Sequence, residues 1–378
     1  MGVSDREPAN VGITGGFGFL GWHTACRLLA SGAQVRRFGR ADLETPTAGL
    51  FNGLDALIHC AGVNRGNPTD VFDGNVEAAR STIEGLRVAD RLPRRLVYAN
   101  STQAATDNPY GNSKRQAGME LAEFCAAQDI EFFNVLIPNV FGEGGRPFYN
   151  SFVATFCHQL SLDEPCTVDI DREVPLAHAQ DVARVLCESA LHGAEGYRQP
   201  TTTLISVSAT LAKLTAMRDT YRAAIFPDLD DPFDVALFNT LRSYLYAESG
   251  PVLPFKRNTD NRGWLVETVK AQGGGQSFVS STEPGITRGQ HYHLGKVERF
   301  VVLAGSATIR MRKLFSSEVV DYPVTGDEPC AVEIPTLHTH SIINSGESQL
   351  LTLFWSNELF DPQNPDTYGL LLDAGADL

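Results

Sequence analysis

GITRGQHYHLGKVERFVVLAG, residues 285–305, holds two histidines, His291 and His293, separated by a single tyrosine. Side chains alternate along a strand, so both imidazoles point to one face. Glu298 follows five residues after the second histidine, and Gly305 closes the unit with a turn. Further on, PTLHTHSIIN (335–344) adds His340, four residues before Asn344. Three imidazoles and one carboxylate make a donor set for a divalent transition metal. Short alternating segments surround this stretch, at 265–270, 276–281, 298–303, 307–312, 318–322, 331–334, 341–344 and 350–355. Evenly spaced short strands with glycine-bearing turns predict an antiparallel sandwich or small barrel.

The pattern upstream is different. A break near Ser249-Gly250-Pro251, with Pro254 close behind, separates two regions, placing domain boundaries at 1–248 and 255–378. In the first 140 residues, apolar runs at 10–13, 33–38, 55–60, 95–99 and 132–137 read as buried parallel strands. Helical patterns lie between them at 19–31, 70–90 and 112–128. This alternation predicts an α/β fold, a doubly wound parallel sheet with helices on both faces. Residues 140–245 are mixed, with helices around 180–192 and 208–225; a sixth strand and a small lobe over the substrate are expected there.

Ile13-Thr14-Gly15-Gly16-Phe17-Gly18-Phe19-Leu20-Gly21 follows the first strand and opens a helix. Gly15, Gly18 and Gly21 permit a tight turn, and with Phe19 and Leu20 they bring backbone N–H groups to a dinucleotide pyrophosphate. The second strand ends in Gln34-Val35-Arg36-Arg37-Phe38-Gly39-Arg40, with no acidic residue before Asp42. An acidic residue there would take an NAD ribose hydroxyl; Arg37 and Arg40 suit a 2′-phosphate instead, which favours NADP(H). Tyr110 and Lys114 form Y-x-x-x-K, one helical turn apart, so phenol and ammonium share a face. The lysine is expected to lower the phenol pKa, and the tyrosine to pass a proton to or from a carbonyl or alcohol oxygen. Just before them, Ser101 or Thr102 offers a hydroxyl to orient that oxygen.

Bulk properties narrow the function. At 378 residues the chain has room for two domains, and its apolar content of 43% is ordinary for a globular protein. A net charge of −14 argues against nucleic acid or anionic membrane as a partner. No apolar run approaches the roughly 20 residues that span a bilayer. Met1–Pro8 lacks the apolar core of a secretory leader, and Arg6 stands where an acylation signal wants Ser or Thr. Seven widely spaced cysteines without C-x-x-C read as thiols of a reducing cytoplasm.

With Tyr110, Lys114 and the glycine loop, residues 1 to about 245 resemble an extended short-chain dehydrogenase/reductase. Further matching features are His59-Cys60-Ala61-Gly62 after the third strand, Asn75, and Pro138-Asn139-Val140-Phe141-Gly142 after the fifth. The resemblance implies Ser101, Tyr110 and Lys114 as the catalytic triad, and cofactor contacts from Cys60, Ala61, Gly62 and Pro138. Related 4,6-dehydratases carry Thr-Asp-Glu after the fourth strand; Thr102-Gln103-Ala104 departs from that pattern and speaks against elimination.

Residues 255–378 resemble a metal cupin, a jelly-roll barrel. Its first motif is met by Gly285, His291, His293, Glu298 and Gly305, and its second by Pro335, His340 and Asn344. Leu337 replaces the second motif's glycine, and His338 is a competing ligand or a base. The alternative is a metal-free cupin whose histidines line a sugar pocket. Zinc is the favoured metal over iron, manganese or nickel, because this sugar chemistry needs no redox centre.

Along its whole length the chain resembles the bifunctional capsule and O-antigen enzymes of the CapF/WbjC type. What this implies is C3 epimerisation by the cupin of a UDP-2-acetamido-2,6-dideoxy-hexos-4-ulose, then NADPH-dependent C4 reduction, on the route to UDP-N-acetyl-L-fucosamine. Candidates for the epimerisation base are His338, Tyr292 and Lys296, and for pyrophosphate clamps Arg146 and Arg172. A homodimer is expected from both parent folds. The alternative function is a 4-keto-sugar reductase whose cupin is a structural or dimerisation module. A cofactor sensor without activity is disfavoured because Tyr110 and Lys114 are both kept.

Overall fold

The computed structural model describes residues 8–45, 47 and 49–373. The leader and acylation motifs weighed at Met1–Glu7 lie outside them. Two compact units are present: residues through Thr155 with Arg172–Ser206, and Phe156–Asp171 with the chain from Val207 onward.

In the first unit the chain runs β1 (Asn10–Thr14), α1 (Phe19–Ala30), β2 (Gln34–Phe38), α2 (Arg40–Glu44), β3 (Ala56–His59), α3 (Pro68–Arg87), β4 (Arg95–Ser101), α4 (Pro109–Ala127) and β5 (Glu131–Ile137). The five strands form one parallel sheet in the order β2-β1-β3-β4-β5. Helices start where a side chain caps them: Asn67 accepts the Asp70 amide and Asn108 accepts the Gly111 amide, each followed by proline at the first helical position. Phe38, Leu57, Leu96, Tyr98, Leu121 and Phe124 join in one apolar core. The sheet reverses direction of winding between β1 and β3, the switch point where such sheets bind ligands at the carboxyl ends of their strands.

The expected sixth strand does not join that sheet. Instead β6 (Asn139–Phe141), followed by α5 (Phe152–Ser161), pairs with β7 (Glu173–His178). After α6 (Ala179–His192), β8 (Thr203–Ser206) completes a separate three-stranded sheet.

In the second unit α7 (Val207–Arg222) and α8 (Pro232–Ser249) precede the β-rich part. Its strands are β9 (Val252–Pro254), β10 (Asn258–Asp260), β11 (Gly263–Leu265), β12 (Gln276–Thr282), β13 (Thr287–Tyr292) and β14 (Glu298–Ala304). They continue as β15 (Ser306–Lys313), β16 (Val319–Thr325), β17 (Cys330–Ile334), β18 (His338–Asn344), β19 (Leu350–Ser356) and β20 (Tyr368–Gly369). Two five-stranded sheets result, ordered β12-β19-β14-β17-β9 and β16-β15-β18-β13-β20. Their facing side chains, among them Phe300, Ile309, Val332, Ile342 and Phe354, pack as one apolar core, the jelly-roll arrangement expected. Of the strand read at 265–270, only Leu265 lies in a strand, while the Lys270 carbonyl accepts the Phe226 N–H at 2.8 Å.

Compactness groups α7 and α8 with the β-rich unit, whereas the boundary at 248–255 follows the change in element type. The grouping has a chemical basis. Phe226 stacks on Trp355 with ring centroids 4.2 Å apart, and the Arg242 guanidinium lies 3.9 Å from the fully buried Glu333 carboxylate.

Candidate functional sites

The glycine loop leaves β1 beside the switch point. Gly15 has φ +67, and a Cβ there would lie 2.8 Å from the Ala61 backbone, so the loops after β1 and β3 meet backbone to backbone. A Cβ on Gly21 would lie 2.2 Å from the Gly15 carbonyl oxygen. No side chain caps α1, and its first turn has no acidic residue. The amides of Phe19, Leu20 and Gly21 therefore open an uncapped, positive helix end, the feature a pyrophosphate needs. Asn75 braces the Cys60-Ala61-Gly62 loop, its amide donating to the Val63 carbonyl at 2.7 Å. Pro138 lies between β5 and β6.

At the end of β2, the Arg37 guanidinium lies 4.6 Å over the Phe17 ring. Arg40 is exposed at the start of α2. Asp42 accepts the Gly39 N–H at 2.7 Å and caps α2. Asp42 is thus committed to the backbone, while Arg37 lies on Phe17 of the glycine loop and Arg40 is exposed. Arg36 instead donates to the Asn52 and Leu50 carbonyls.

Ser101 ends β4, and Tyr110 and Lys114 occupy the first turns of α4. The Ser101 hydroxyl is the polar side chain that acts on the Tyr110 phenol and favours its ionised form. Lys114 is buried; its Nζ donates to the Ala99 carbonyl at 2.7 Å and sits 4.3 Å over the Tyr98 ring. Burial pushes the Lys114 ammonium down to about 7. The phenol differs from expectation: burial pushes its pKa up and the Ser101 hydroxyl only partly offsets this. Tyr110 is therefore a protonated donor at neutral pH. Thr102, the other hydroxyl considered, reaches the Ile137 carbonyl at 3.5 Å.

A buried polar cluster unmarked by any motif lies behind α1. His23 on α1 contacts the Glu143 carbonyl through Nε2 at 2.9 Å, and its Nδ1 lies 2.8 Å from the Gln180 amide. His178 Nε2 lies 3.0 Å from the Glu143 carboxylate. Burial alone would raise the Glu143 pKa, but the neighbouring His178 and His23 imidazoles outweigh it and hold the carboxyl at about 2. These contacts tie the loop after β6 to α1 and to α6. Arg146 lies over the Tyr149 ring at 5.2 Å, and Arg172 is exposed.

In the β-rich unit, His291 and His340 face each other across β13 and β18, and Glu298 opens β14 in the opposite sheet. One ligand atom from each of His291, His293, Glu298 and His340 lies within 4.8 Å of the others. Glu298 Oε2 is 3.2 Å from His293 Nε2 and 3.3 Å from His340 Nε2. His340 is fully buried, and its Nε2 has no hydrogen-bond partner of acceptable geometry. Such an orphaned lone pair between sheets is costly unless a proton or a cation meets it, so the donor set fits a transition metal. Burial and the neighbouring imidazoles hold His291 at about 3, so it is unprotonated and ready to ligate. Burial would also lower His293, but its hydrogen bond to Glu298 and that carboxylate's charge raise it.

The candidate bases separate in space. His338 is outside the four-residue cluster, with Nδ1 2.8 Å from the Thr336 carbonyl. The Tyr292 ring packs on Tyr368 with centroids 5.4 Å apart. Lys296 is buried, and its Nζ donates to the Pro365 carbonyl at 2.6 Å. Leu337 keeps the backbone of the glycine it replaces, with φ +61. Its amide donates to the His293 carbonyl at 2.8 Å, which leaves His340 in register.

Known proteins match both regions of the chain. The model of the NAD dependent epimerase/dehydratase family matches residues 11–200, and that of the polysaccharide biosynthesis C-terminal domain matches residues 258–368. UDP-2-acetamido-2,6-beta-L-arabino-hexul-4-ose reductase of Pseudomonas aeruginosa is 32% identical, over 96% of this chain and 99% of its own. The structure of the capsular polysaccharide assembling protein CapF of Staphylococcus aureus superposes with a TM-score of 0.58 at 30% identity, covering 96% of this chain and 99% of that one. The Bordetella bronchiseptica enzyme WbmF, solved with NAD+ and UDP, shares the fold at 17% identity and a TM-score of 0.52, over 66% of this chain and 95% of its own. Among the described residues, no helix is long and apolar enough to cross a membrane.

Proposed function

The chain belongs to the NAD dependent epimerase/dehydratase family and, over its full length, to the two-domain enzymes of the CapF/WbjC type, and from that premise we propose that it is a bifunctional UDP-sugar enzyme. It is an NAD(P)-dependent reductase of a 4-keto nucleotide sugar. The finer reading is that the cupin epimerises C3 of a UDP-2-acetamido-2,6-dideoxy-hexos-4-ulose before C4 is reduced, on the route to UDP-N-acetyl-L-fucosamine. The observation that carries it is the pairing, in one chain, of the Ser101–Tyr110–Lys114 arrangement with the His291–His293–Glu298–His340 cluster.

In the reductase, bound NADPH supplies the hydride to C4. Arg37 and Arg40 favour the 2′-phosphate, because Asp42 is spent on the Gly39 amide. Ser101 orients the ketone oxygen beside Tyr110. The phenol, kept protonated by burial, donates its proton to the oxygen as charge develops there. Lys114 stands one turn on to hold the cofactor ribose. Arg146 and Arg172 are the candidates for the substrate diphosphate.

In the cupin, His291, His293, Glu298 and His340 would hold the cation, zinc by preference. A divalent ion supplies Lewis-acid polarisation of the C4 carbonyl, which acidifies the C3 proton. His338, Tyr292 and Lys296 are the candidate bases, held respectively at the Thr336 carbonyl, against the Tyr368 ring and at the Pro365 carbonyl. The protein acts in the cytoplasm as a homodimer, and a sedimentation mass of two chains checks the assembly.

The deciding experiment incubates the full chain with a UDP-4-keto-6-deoxy-HexNAc in D₂O, without NADPH and with or without a chelator. Deuterium at C3 is followed by mass spectrometry. Chelator-sensitive uptake before any reduction is expected. No uptake, with NADPH still consumed when added, leaves a plain 4-keto reductase carrying a structural cupin.

A further inference from the structure

The turn between His293 and Glu298, Leu294-Gly295-Lys296-Val297, sets how far apart these two side chains stand. It is held by a residue remote in sequence that no motif marks. Asp366 Oδ1 accepts the Leu294 N–H at 3.0 Å, and its Oδ2 accepts the N–H groups of Gly295 at 2.9 Å and Lys296 at 2.8 Å. The Asp366 backbone carbonyl meets His293 Nδ1. The backbone at Asp366 is left-handed, φ +39, a conformation that aspartate tolerates better than most residues. On either side the strap is fastened again: the Pro365 carbonyl accepts Lys296 Nζ, and β20 pairs Tyr368 with Tyr292 and Gly369 with His291.

We propose that Asp366 is a positioning residue for the metal cluster. Its carbonyl fixes the proton of His293 on Nδ1, which turns the Nε2 lone pair toward Glu298 and the cation site. Its carboxylate, accepting three successive amides, fixes the spacing of His293 from Glu298. Charge-assisted bonds of this kind are among the stronger ones in proteins, and partners behind a metal-ligating histidine typically govern affinity by about 10- to 100-fold. The inference rests on the metal reading of the cupin.

The test uses the full chain stripped of metal and titrated with Co²⁺ alone, following its d–d absorption. NADPH binding serves as a control for the other unit. Wild-type protein is expected to saturate with one ion. Asp366→Ala is expected to bind Co²⁺ about 10- to 100-fold more weakly, with an altered band shape and unchanged NADPH binding. Asp366→Asn, whose amide oxygen still accepts N–H groups, is expected to recover part of the affinity; it stands in if the alanine variant does not fold. A merely structural role would lower the melting temperature of the metal-free protein and leave the cobalt spectrum as it was. Equal affinity and identical spectra in wild type and both variants overturn the proposal while the metal reading stands. A wild-type chain that shows no saturable cobalt band overturns the metal reading and the role of Asp366 with it.

Discussion

Single residues carry the chemistry through their surroundings. Lys114 is buried with its Nζ on the Ala99 carbonyl, and its pKa falls from 10.5 to about 7. Between those two values the unfolded chain holds a proton that the folded chain does not, so this position's contribution to stability rises with pH across that window. Below about pH 7 the full cost of a buried ammonium is present. Lys114→Met is therefore expected to melt higher than wild type near pH 6.5, with the gap closing toward pH 10, while reduction is lost. Thermal melts of both proteins at pH 6.5 and 9.5 check this, and a gap independent of pH would refute it. Leu337 poses the opposite balance. Its left-handed φ costs about 1–2 kcal/mol, yet the side chain is fully buried, and emptying such a site costs roughly 2–5 kcal/mol. Packing wins, so Leu337→Gly is expected to destabilise the metal-free protein by about 2 kcal/mol. Urea unfolding measures it; a stabilised variant would show that backbone strain dominates.

At the scale of elements, the proposed dinucleotide site is an encounter between two loops and a helix end. The Gly15–Ala61 contact leaves no room for side chains, and the same crowding holds at Gly21 against the Gly15 carbonyl. Gly21→Val must push α1 away from the loop and is expected to weaken NADPH binding at least about 10-fold, leaving Co²⁺ uptake by the cupin unchanged. Fluorescence titration with NADPH reads the first and cobalt absorption the second. Binding of NADPH at wild-type affinity would mean that the helix end does not face the pyrophosphate. The glycine loop, Y-x-x-x-K and H-x-H were legible because each is a short spacing within one continuous stretch of sequence. The Glu143–His178–His23 cluster was not, because its members come from three separate elements and no spacing connects them.

At the scale of the molecule, compactness and element type divide the chain differently. α7 and α8 look like the tail of the α/β region, but Phe226 stacks on Trp355 and Arg242 reaches Glu333 inside the β-rich unit. A chain cut after Pro254 would strip the sheet from α8, exposing Phe226 and Phe238 and leaving Arg242 without its carboxylate. Residues 1–254 are expected to self-associate and bind a hydrophobic dye, read by size-exclusion chromatography and dye fluorescence. A monodisperse fragment that still reduces C4 would show that α8 holds without the sheet. The amino-acid sequence by itself determined the two fold types, the glycine loop, the tyrosine–lysine pair and the four metal-type residues, since periodicity and spacing are local properties of the backbone. Only the tertiary structure decided the raised phenol pKa, the commitment of Lys296 to a strap, and the reach of Asp366 to the turn after His293. Burial and long-range hydrogen bonds come into being when distant segments pack, and no local pattern encodes them.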